Sequence, residues 1–293
     1  SPLTDKKEIM GFNDIFTQLS LLKLAIYAPV GYILPSRIAK YEKLYDTEVA
    51  GGRSKLRQAD REKSLQALMT TNLLKRLESS VEAFRITLSK LKKKHRETIS
   101  KIEDYKISGE DKGFVDNSLC FEDAEPDDEN FLDMEEDTIG GKVQIKLSDM
   151  DLPSWEHELN ADITIIDALL TEMQKISPED DAKLQHLKKQ INEKIANPIN
   201  PENKKILIFT AFADTANYLY DNLSTNLQEA HSIHTGKVTG TAPPKSTLQK
   251  RYDYESLLTL FSPRSKEKDI VIPDEPNELD ILIGTDCIAE GQN

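Results

Sequence analysis

The segment ILIGTDCIAEGQN, residues 281–293, carries the pattern that decides the fold. It opens with a short apolar run, which is typical of a strand buried in a parallel sheet. The run ends at Thr285 and Asp286, where polar residues and Gly291 indicate a loop. Ligands of open α/β sheets bind outside the carboxyl ends of the strands, so a functional site is expected here.

A second stretch, KKILIFTAF at 204–212, has the same build. Its apolar run also predicts a buried parallel strand, and Thr210 follows it as Thr285 follows the later strand. Hydroxyls and backbone amides at such edges suit phosphate or ribose contacts. Thr210 and Asp286 are equally suited to capping the turns that follow them, and the two edges alone leave both readings open.

Helical patterns lie between and beside these strands. Ala216, Leu219 and Leu223 recur on one helical face, and YESLLTLFSP at 254–263 predicts another helix, ended by proline. Strands that alternate with helices predict an α/β layer with a mainly parallel sheet over residues 203–293.

Residues 1–107 predict a basic helical region. Apolar residues at spacings of three and four predict one long amphipathic helix: Leu65, Leu68, Met69, Leu73, Leu77, Val81, Phe84, Leu88 and Leu91. Its other faces carry Lys75, Arg76, Arg85, Lys92, Lys93, Lys94 and Arg96. These residues form either an ordinary solvated face or a contact with a phosphate backbone.

Residues 108–150 are predicted to be an acidic, flexible insertion. EDAEPDDENFLDMEEDTIGG contains many carboxylates and too few apolar residues to offset the entropy of ordering by burial. A divalent-metal site is the rival reading, but the ligand spacing of a calcium loop is missing. We therefore predict no metal site.

Residues 151–200 predict a pair of helices. The first carries an apolar stripe of Trp155, Leu159, Ile163, Ile166, Leu170 and Met173. The second opens with SPED, in which Ser177 is the expected N-cap. Pro198 and Pro201 cannot continue that helix, and they predict the main domain boundary.

Composition narrows the classes of function. Basic and acidic residues number 21 and 13 in 1–107, 8 and 24 in 108–200, and 9 and 14 in 201–293. A basic first third suits an anionic partner such as nucleic acid, whereas the acidic middle would repel one. The sequence has no long apolar run and no signal-peptide pattern, so we expect a cytoplasmic protein without a membrane partner. Cys120 and Cys287 are too few for a disulfide framework or a four-cysteine zinc site.

Several catalytic and cofactor motifs are missing from the sequence. The phosphate-loop pattern G-x-x-x-x-G-K-[ST] does not occur, and neither does a dinucleotide fingerprint. His231 and His234 offer at most two metal ligands. The chain therefore cannot hold a triphosphate by itself.

Four stretches in order, KKILIFTAFADTANYL, HTG, KRYDYESLLTLFSP and LDILIGTDCIAEGQN, resemble the second motor domain of superfamily-two helicases in the Swi/Snf-like branch. The first resembles helicase motif IV and the last the start of motif V. The helical stretch LMTTNLLKRLESSVEAFRITL is similar to the segment that precedes this domain in a bacterial helicase-like group. The resemblance implies a RecA-like C-terminal motor domain preceded by a mainly helical region.

Members of that superfamily hydrolyse ATP with Mg²⁺ between two RecA-like domains. The resemblance implies that the first domain, with the phosphate loop and the magnesium ligands, is missing here. The chain also ends within motif V, before the arginines of motif VI. We therefore expect a fragment of an ATP-dependent DNA helicase or translocase that has no catalytic residue and no ATPase activity of its own.

The resemblance also implies roles for single residues. Gly291 and Asn293 are expected near the ATP ribose, although many relatives have aspartate at the second position. Thr285 is expected to face the nucleic-acid backbone. Further candidates on the DNA side are Thr210, Phe212, Gly236 and Arg251, and Arg251 is equally suited to the surface of its helix.

A second hypothesis stays open: a helical module that binds a protein partner through residues 1–200, fused to a degenerate, non-catalytic α/β domain. A Q-x-x-G-R-x-x-R pattern after residue 293 would favour the motor, and its lack would favour the module.

Overall fold

The computed structural model describes residues 3–6, 8–45, 47–48, 55–56, 58–109, 114–116, 144–201, 203–240 and 242–285. Over these residues the chain is a mixed α/β protein, in which a helical body packs against a small four-stranded mixed sheet. Most of the predicted acidic insertion lies outside the described residues, as do Gly291 and Asn293.

The helical body contains α1 (Phe12–Leu21), α2 (Ile38–Tyr45), α3 (Gln58–Ser79), α4 (Val81–Ser108) and α5 (Leu152–Gln174). Two short antiparallel pairs accompany these helices: β1 (Thr47–Glu48) with β2 (Lys55–Leu56), and β3 (Phe114–Asp116) with β4 (Gln144–Lys146).

The long helix predicted from Leu65 to Leu91 is in fact two helices, so that prediction is wrong. Ser80 has an extended backbone (φ −160°) between α3 and α4, and its Oγ accepts a hydrogen bond from the Ala83 amide at 3.0 Å. A serine oxygen in this position caps the second helix. The apolar stripe continues across the break because Leu77 and Val81 are both buried in the same core.

The core of the helical body lies mainly between α4 and α5. The Trp155 side chain is completely buried, and its indole Nε1 donates to the Ala25 carbonyl at 3.0 Å. Ile145, Leu147 and Met150 also belong to this core, so the last part of the predicted insertion range is packed.

A buried carboxylate ties α5 to the chain after α1. Asp162 accepts hydrogen bonds from the amides of Lys23 (2.8 Å) and Ala25 (2.9 Å), on either side of Leu24 with its positive φ of 49°. His95 Nε2 lies 3.5 Å from the same carboxylate, and both side chains are buried. Asp162 thus holds a strained turn against α4 and α5.

The second part of the chain contains α6 (Ala182–Ala196), α7 (Ala213–His231), α8 (Tyr254–Phe261) and α9 (Lys268–Val271). The N-cap of α6 is Asp181 and not Ser177, because the Asp181 carboxylate accepts from the amides of Lys183 and Leu184, both at 3.0 Å. Ser177 instead bonds Asp180 within the preceding turn. The packing assigns α6 to the sheet, since Leu184, Ile191 and Ile195 share a core with α7.

The sheet consists of β5 (Ile206–Phe209), β6 (Thr235–Thr239), β7 (Ala242–Ser246) and β8 (Ile281–Gly284), in the order β5-β8-β6-β7. The two predicted strands, β5 and β8, are neighbours and parallel, which confirms a mainly parallel layer. β6 is parallel to β8, and β7 returns antiparallel to β6.

The two faces of the sheet have separate cores. Ile208 and Ile283 face α6 and α7, whereas Val238 and Leu282 face α8. β8 is buried throughout, as predicted. β5 is an edge strand whose Leu207 and Phe209 are exposed, so it is not buried on both faces as expected.

Candidate functional site

Three threonines lie in a row at the carboxyl edge of the sheet. The register pairs Phe209 of β5 and Val238 of β6 with Gly284 of β8. The next residues, Thr210, Thr285 and Thr239, therefore end three adjacent parallel strands at one level. Sequence analysis predicted the first two but missed Thr239, because TGKVT lacks the apolar run that marks a strand.

The three threonines point to the same face, the one that α7 covers. Strand alternation puts Thr210 with Ile208 and Thr285 with Ile283, both of which pack toward α7. Thr285 is completely buried, and Thr210 and Thr239 are nearly so. The Thr210 hydroxyl donates to the Phe212 carbonyl at 2.9 Å, whereas the Thr239 hydroxyl has no hydrogen-bond partner within the described chain.

A buried lysine stands beside this row. Lys237, two residues before Thr239 on the same face, donates to the Asn217 side-chain oxygen and lies 5.8 Å from the centre of the Tyr220 ring. Burial lowers the pKa of the Lys237 ammonium, and nearby Lys245 lowers it further. The amine of Lys237 is therefore buried next to the threonine row, which the sequence pattern did not reveal.

The turn from β5 to α7 is held by an arginine of the helical body. Arg76 of α3 is buried, and its Nη1 donates to Asp214 Oδ2 at 3.2 Å. Its guanidinium carbon lies 4.5 Å from the centre of the Phe212 ring. Arg76 therefore belongs to this site and not to the solvated face on which its helical position put it.

A cleft of about 640 Å³ opens beside this turn. Its walls come from the α3–α4 break, the start of α6 and the segment 208–212. Tyr218 lines it and donates to Asp181 Oδ2 at 3.0 Å, and burial raises the pKa of the Tyr218 hydroxyl. The lining includes apolar side chains such as Leu184 and Leu187, together with charged residues such as Lys75 and Glu78.

Two of the predicted DNA-side residues, Gly236 and Phe212, are packed inside the protein. Gly236 is buried in β6, and a Cβ atom there would lie 2.7 Å from Leu279 Cδ1. Phe212 is buried against Arg76. Both residues are buried, and their contact with a nucleic acid stays a prediction.

Arg251 is exposed and lies in the loop before α8, which begins at Tyr254, so it is not a helical residue. It remains accessible to an anionic ligand.

The basic residues of α4 are divided between protein and solvent. Lys92 forms an ion pair with Asp167, and the Lys94 ammonium lies 5.5 Å from the centre of the Tyr27 ring. Lys93 and Arg96 are exposed. Only part of the predicted basic patch is therefore directed to solvent.

No group of three or more His, Cys, Asp or Glu residues in the described ranges could hold a metal ion. His231 Nε2 lies 3.2 Å from Asn192 Oδ1, and His234 Nδ1 lies 3.1 Å from Thr247 Oγ1. No helix in the described part of the chain has the length and apolar character needed to span a membrane.

Comparison with known proteins gave no match: no protein-family model, no curated protein and no solved structure is significantly similar to this chain.

Proposed function

We propose that this chain is part of a cytoplasmic, ATP-dependent nucleic-acid translocase and contributes part of its second RecA-like motor domain. The observation that carries the proposal is the row of Thr210, Thr285 and Thr239 at the carboxyl ends of three parallel strands. Strand ends of this kind are where open α/β sheets bind ligands. The order of the helicase-like stretches in the sequence supports the same reading.

The roles divide between accessible and buried residues. Arg251, Lys93 and Arg96 are exposed, so they would supply contacts to phosphates that do not depend on base sequence. Thr285 is completely buried and would contribute little to affinity. Its role would be to couple the state of the bound strand to ATP hydrolysis.

ATP and Mg²⁺ would be shared with a first RecA-like domain. The proposal assigns the ATP ribose to Gly291 and Asn293, which lie outside the described residues. The phosphate loop and the magnesium ligands would come from the other domain, because this sequence has no phosphate-loop motif. The phosphate loop and the magnesium ligands position the ATP phosphates and stabilise the charge of the transition state. Without them the chain alone should show no ATPase activity.

The test is the variant Thr285→Ala in the intact enzyme. DNA affinity should stay within about threefold, or under roughly 1 kcal/mol, because one modest hydrogen bond is lost at most. DNA-stimulated ATPase should fall by at least about tenfold, or roughly 1.4 kcal/mol of transition-state stabilisation. Thermal melting must show equal folding of variant and parent. Unchanged ATPase in the folded variant would remove Thr285 from the mechanism.

A second candidate is the helical module that binds a protein partner. The internal contacts of Lys92 and Lys94 favour it, because these two residues are less available to phosphates than the sequence suggested. The salt dependence of DNA binding separates the candidates. If the chain binds DNA through phosphates, the slope of log affinity against log salt concentration should fall by about one unit for each phosphate contact removed. Arg96→Ala is one such variant. A chain without measurable DNA binding would favour the protein module.

A further inference from the structure

The α3–α4 break is docked on the first turn of α7. The Ser79 and Ser80 hydroxyls lie 2.8 and 2.9 Å from Thr215 Oγ1. Lys183 Nζ donates to the last carbonyls of α3, at 2.7 Å to Glu78 and 3.0 Å to Ser79. The helical body therefore meets the sheet at the segment that follows β5, and several contacts hold the two parts together.

Arg76 stands at the centre of this junction. Besides the bond to Asp214, its Nε donates to Asn72 Oδ1 at 2.9 Å. Its side chain is only 3% exposed, and an arginine charge that is removed from water needs such partners. The guanidinium thus contacts three elements: Nε bonds α3, Nη1 bonds α7, and one flat side lies over Phe212.

The partners of Arg76 lie just after Thr210. Phe212 immediately precedes α7, and Asp214 lies in the first helical turn, where the helix dipole favours a carboxylate. On the sheet side, the Thr210 amide donates to the Gly284 carbonyl at 2.9 Å, and its hydroxyl donates to the Phe212 carbonyl. The turn 210–214 is therefore held by β8 on one side and by Arg76 on the other.

We propose that Arg76 is a positioning residue for the nucleic-acid edge: it fixes the turn 210–214 and thereby makes the helical body part of the binding site. This proposal rests on the proposed function, because that function identifies the ligand as a nucleic acid. The fixing of the turn itself does not depend on that function. Arg76 acts through Phe212 and Asp214 and touches no phosphate.

The first experiment is hydrogen exchange on the full chain. Arg76→Met removes the charge and the donors while keeping an unbranched side chain. We expect peptides covering 208–218 to exchange about tenfold faster, as for the loss of one charge-assisted hydrogen bond, with peptides from α5 unchanged. Arg76→Lys should restore part of the protection, because an ammonium can still pair with Asp214 and lie over Phe212. Unchanged exchange at 208–218 in Arg76→Met would overturn the proposal.

Two further variants keep the result interpretable. Arg37→Met is the matched control, since Arg37 is an exposed arginine that pairs with Asp149 inside the helical body. It should leave exchange at 208–218 unaffected. Asp214→Asn removes the partner charge and keeps the size of the side chain, so it replaces Arg76→Met if that variant fails to fold. Protection as strong as in the parent would then overturn the proposal.

The second experiment measures binding of a fluorescent DNA oligonucleotide at several salt concentrations. We expect Arg76→Met to weaken binding about tenfold with no change in the salt slope, because no phosphate contact is removed. A slope reduced by about one would mean that Arg76 binds a phosphate directly, which would overturn the positioning role. If the parent binds no DNA, the proposed function fails, and the exchange result still decides whether Arg76 fixes the turn.

Discussion

Replacing Asp162 by alanine should be among the most damaging changes to the helical body. The Asp162 carboxylate accepts from the amides of Lys23 at 2.8 Å and Ala25 at 2.9 Å, and only 1% of its side chain is exposed. Alanine would leave both amides without an acceptor and His95 without its neighbour. Each buried donor left unsatisfied costs about 1–3 kcal/mol, so the free energy of unfolding should fall by roughly 2–6 kcal/mol.

Urea denaturation measures this loss, and Trp155 provides the signal. It is the only tryptophan in the sequence, and its indole donates to the carbonyl of Ala25, whose amide bonds Asp162. Unfolding followed by tryptophan fluorescence therefore reports on the same cluster. Circular dichroism over the same urea range checks whether the helical body unfolds in one step.

Two variants calibrate the result. Asp162→Asn keeps one acceptor oxygen and should lose only about half as much, about 1–3 kcal/mol. Asp167→Ala, on the same helix, removes a half-exposed ion pair with Lys92 and should cost less than about 1 kcal/mol. A loss below about 1 kcal/mol for Asp162→Ala would refute the reasoning, since the two amides would then have found other acceptors.

Two further predictions concern packing in the sheet and the loss of stability at low pH. Gly236→Ala should destabilise the protein by about 1–3 kcal/mol in a thermal melt, because the new Cβ would meet Leu279 at 2.7 Å, while Gly31→Ala, with nothing within 4 Å, should be nearly neutral. Equal melting of the two variants would contradict this. The hydrogen bond from Lys40 holds the pKa of the Asp149 carboxyl below its usual value, so this group stabilises the fold above its unfolded pKa and ceases to do so as the pH falls through its folded pKa. Asp149→Asn should therefore lower stability at neutral pH and flatten its decline in acid, and a parallel decline in both proteins would refute the assignment.

The sequence predicted the parallel pair β5 and β8 and the helix α7, because short apolar runs and helical spacing are local signals. The break at Ser80 was missed, since one serine hardly disturbs an apolar stripe that continues on both sides. β6 was missed because Thr235, Lys237 and Thr239 are polar although buried. These residues are buried because α7 packs against them, and the five-residue sequence of β6 does not contain that information.

Arg76 illustrates what local patterns cannot show about the site. On a helical wheel it falls among basic residues and is expected in water, but its partner Asp214 is 138 residues further along the chain. A buried arginine can be identified only when both parts of the fold are in place. The threonine row is intermediate: two of its members follow recognisable strands, and the third required the sheet register.

The pairing of β3 with β4 has a consequence for how this protein tolerates changes in length. Asp116 and Gln144 are register partners, so the chain leaves the helical body and re-enters it at adjacent positions. Lengthening a connection whose ends are already fixed side by side costs only about 0.6 kcal/mol for each doubling, because closure entropy grows with the logarithm of loop length. A change in the number of residues between Asp116 and Gln144 should therefore cost little free energy of closure and leave the β3–β4 pairing in place.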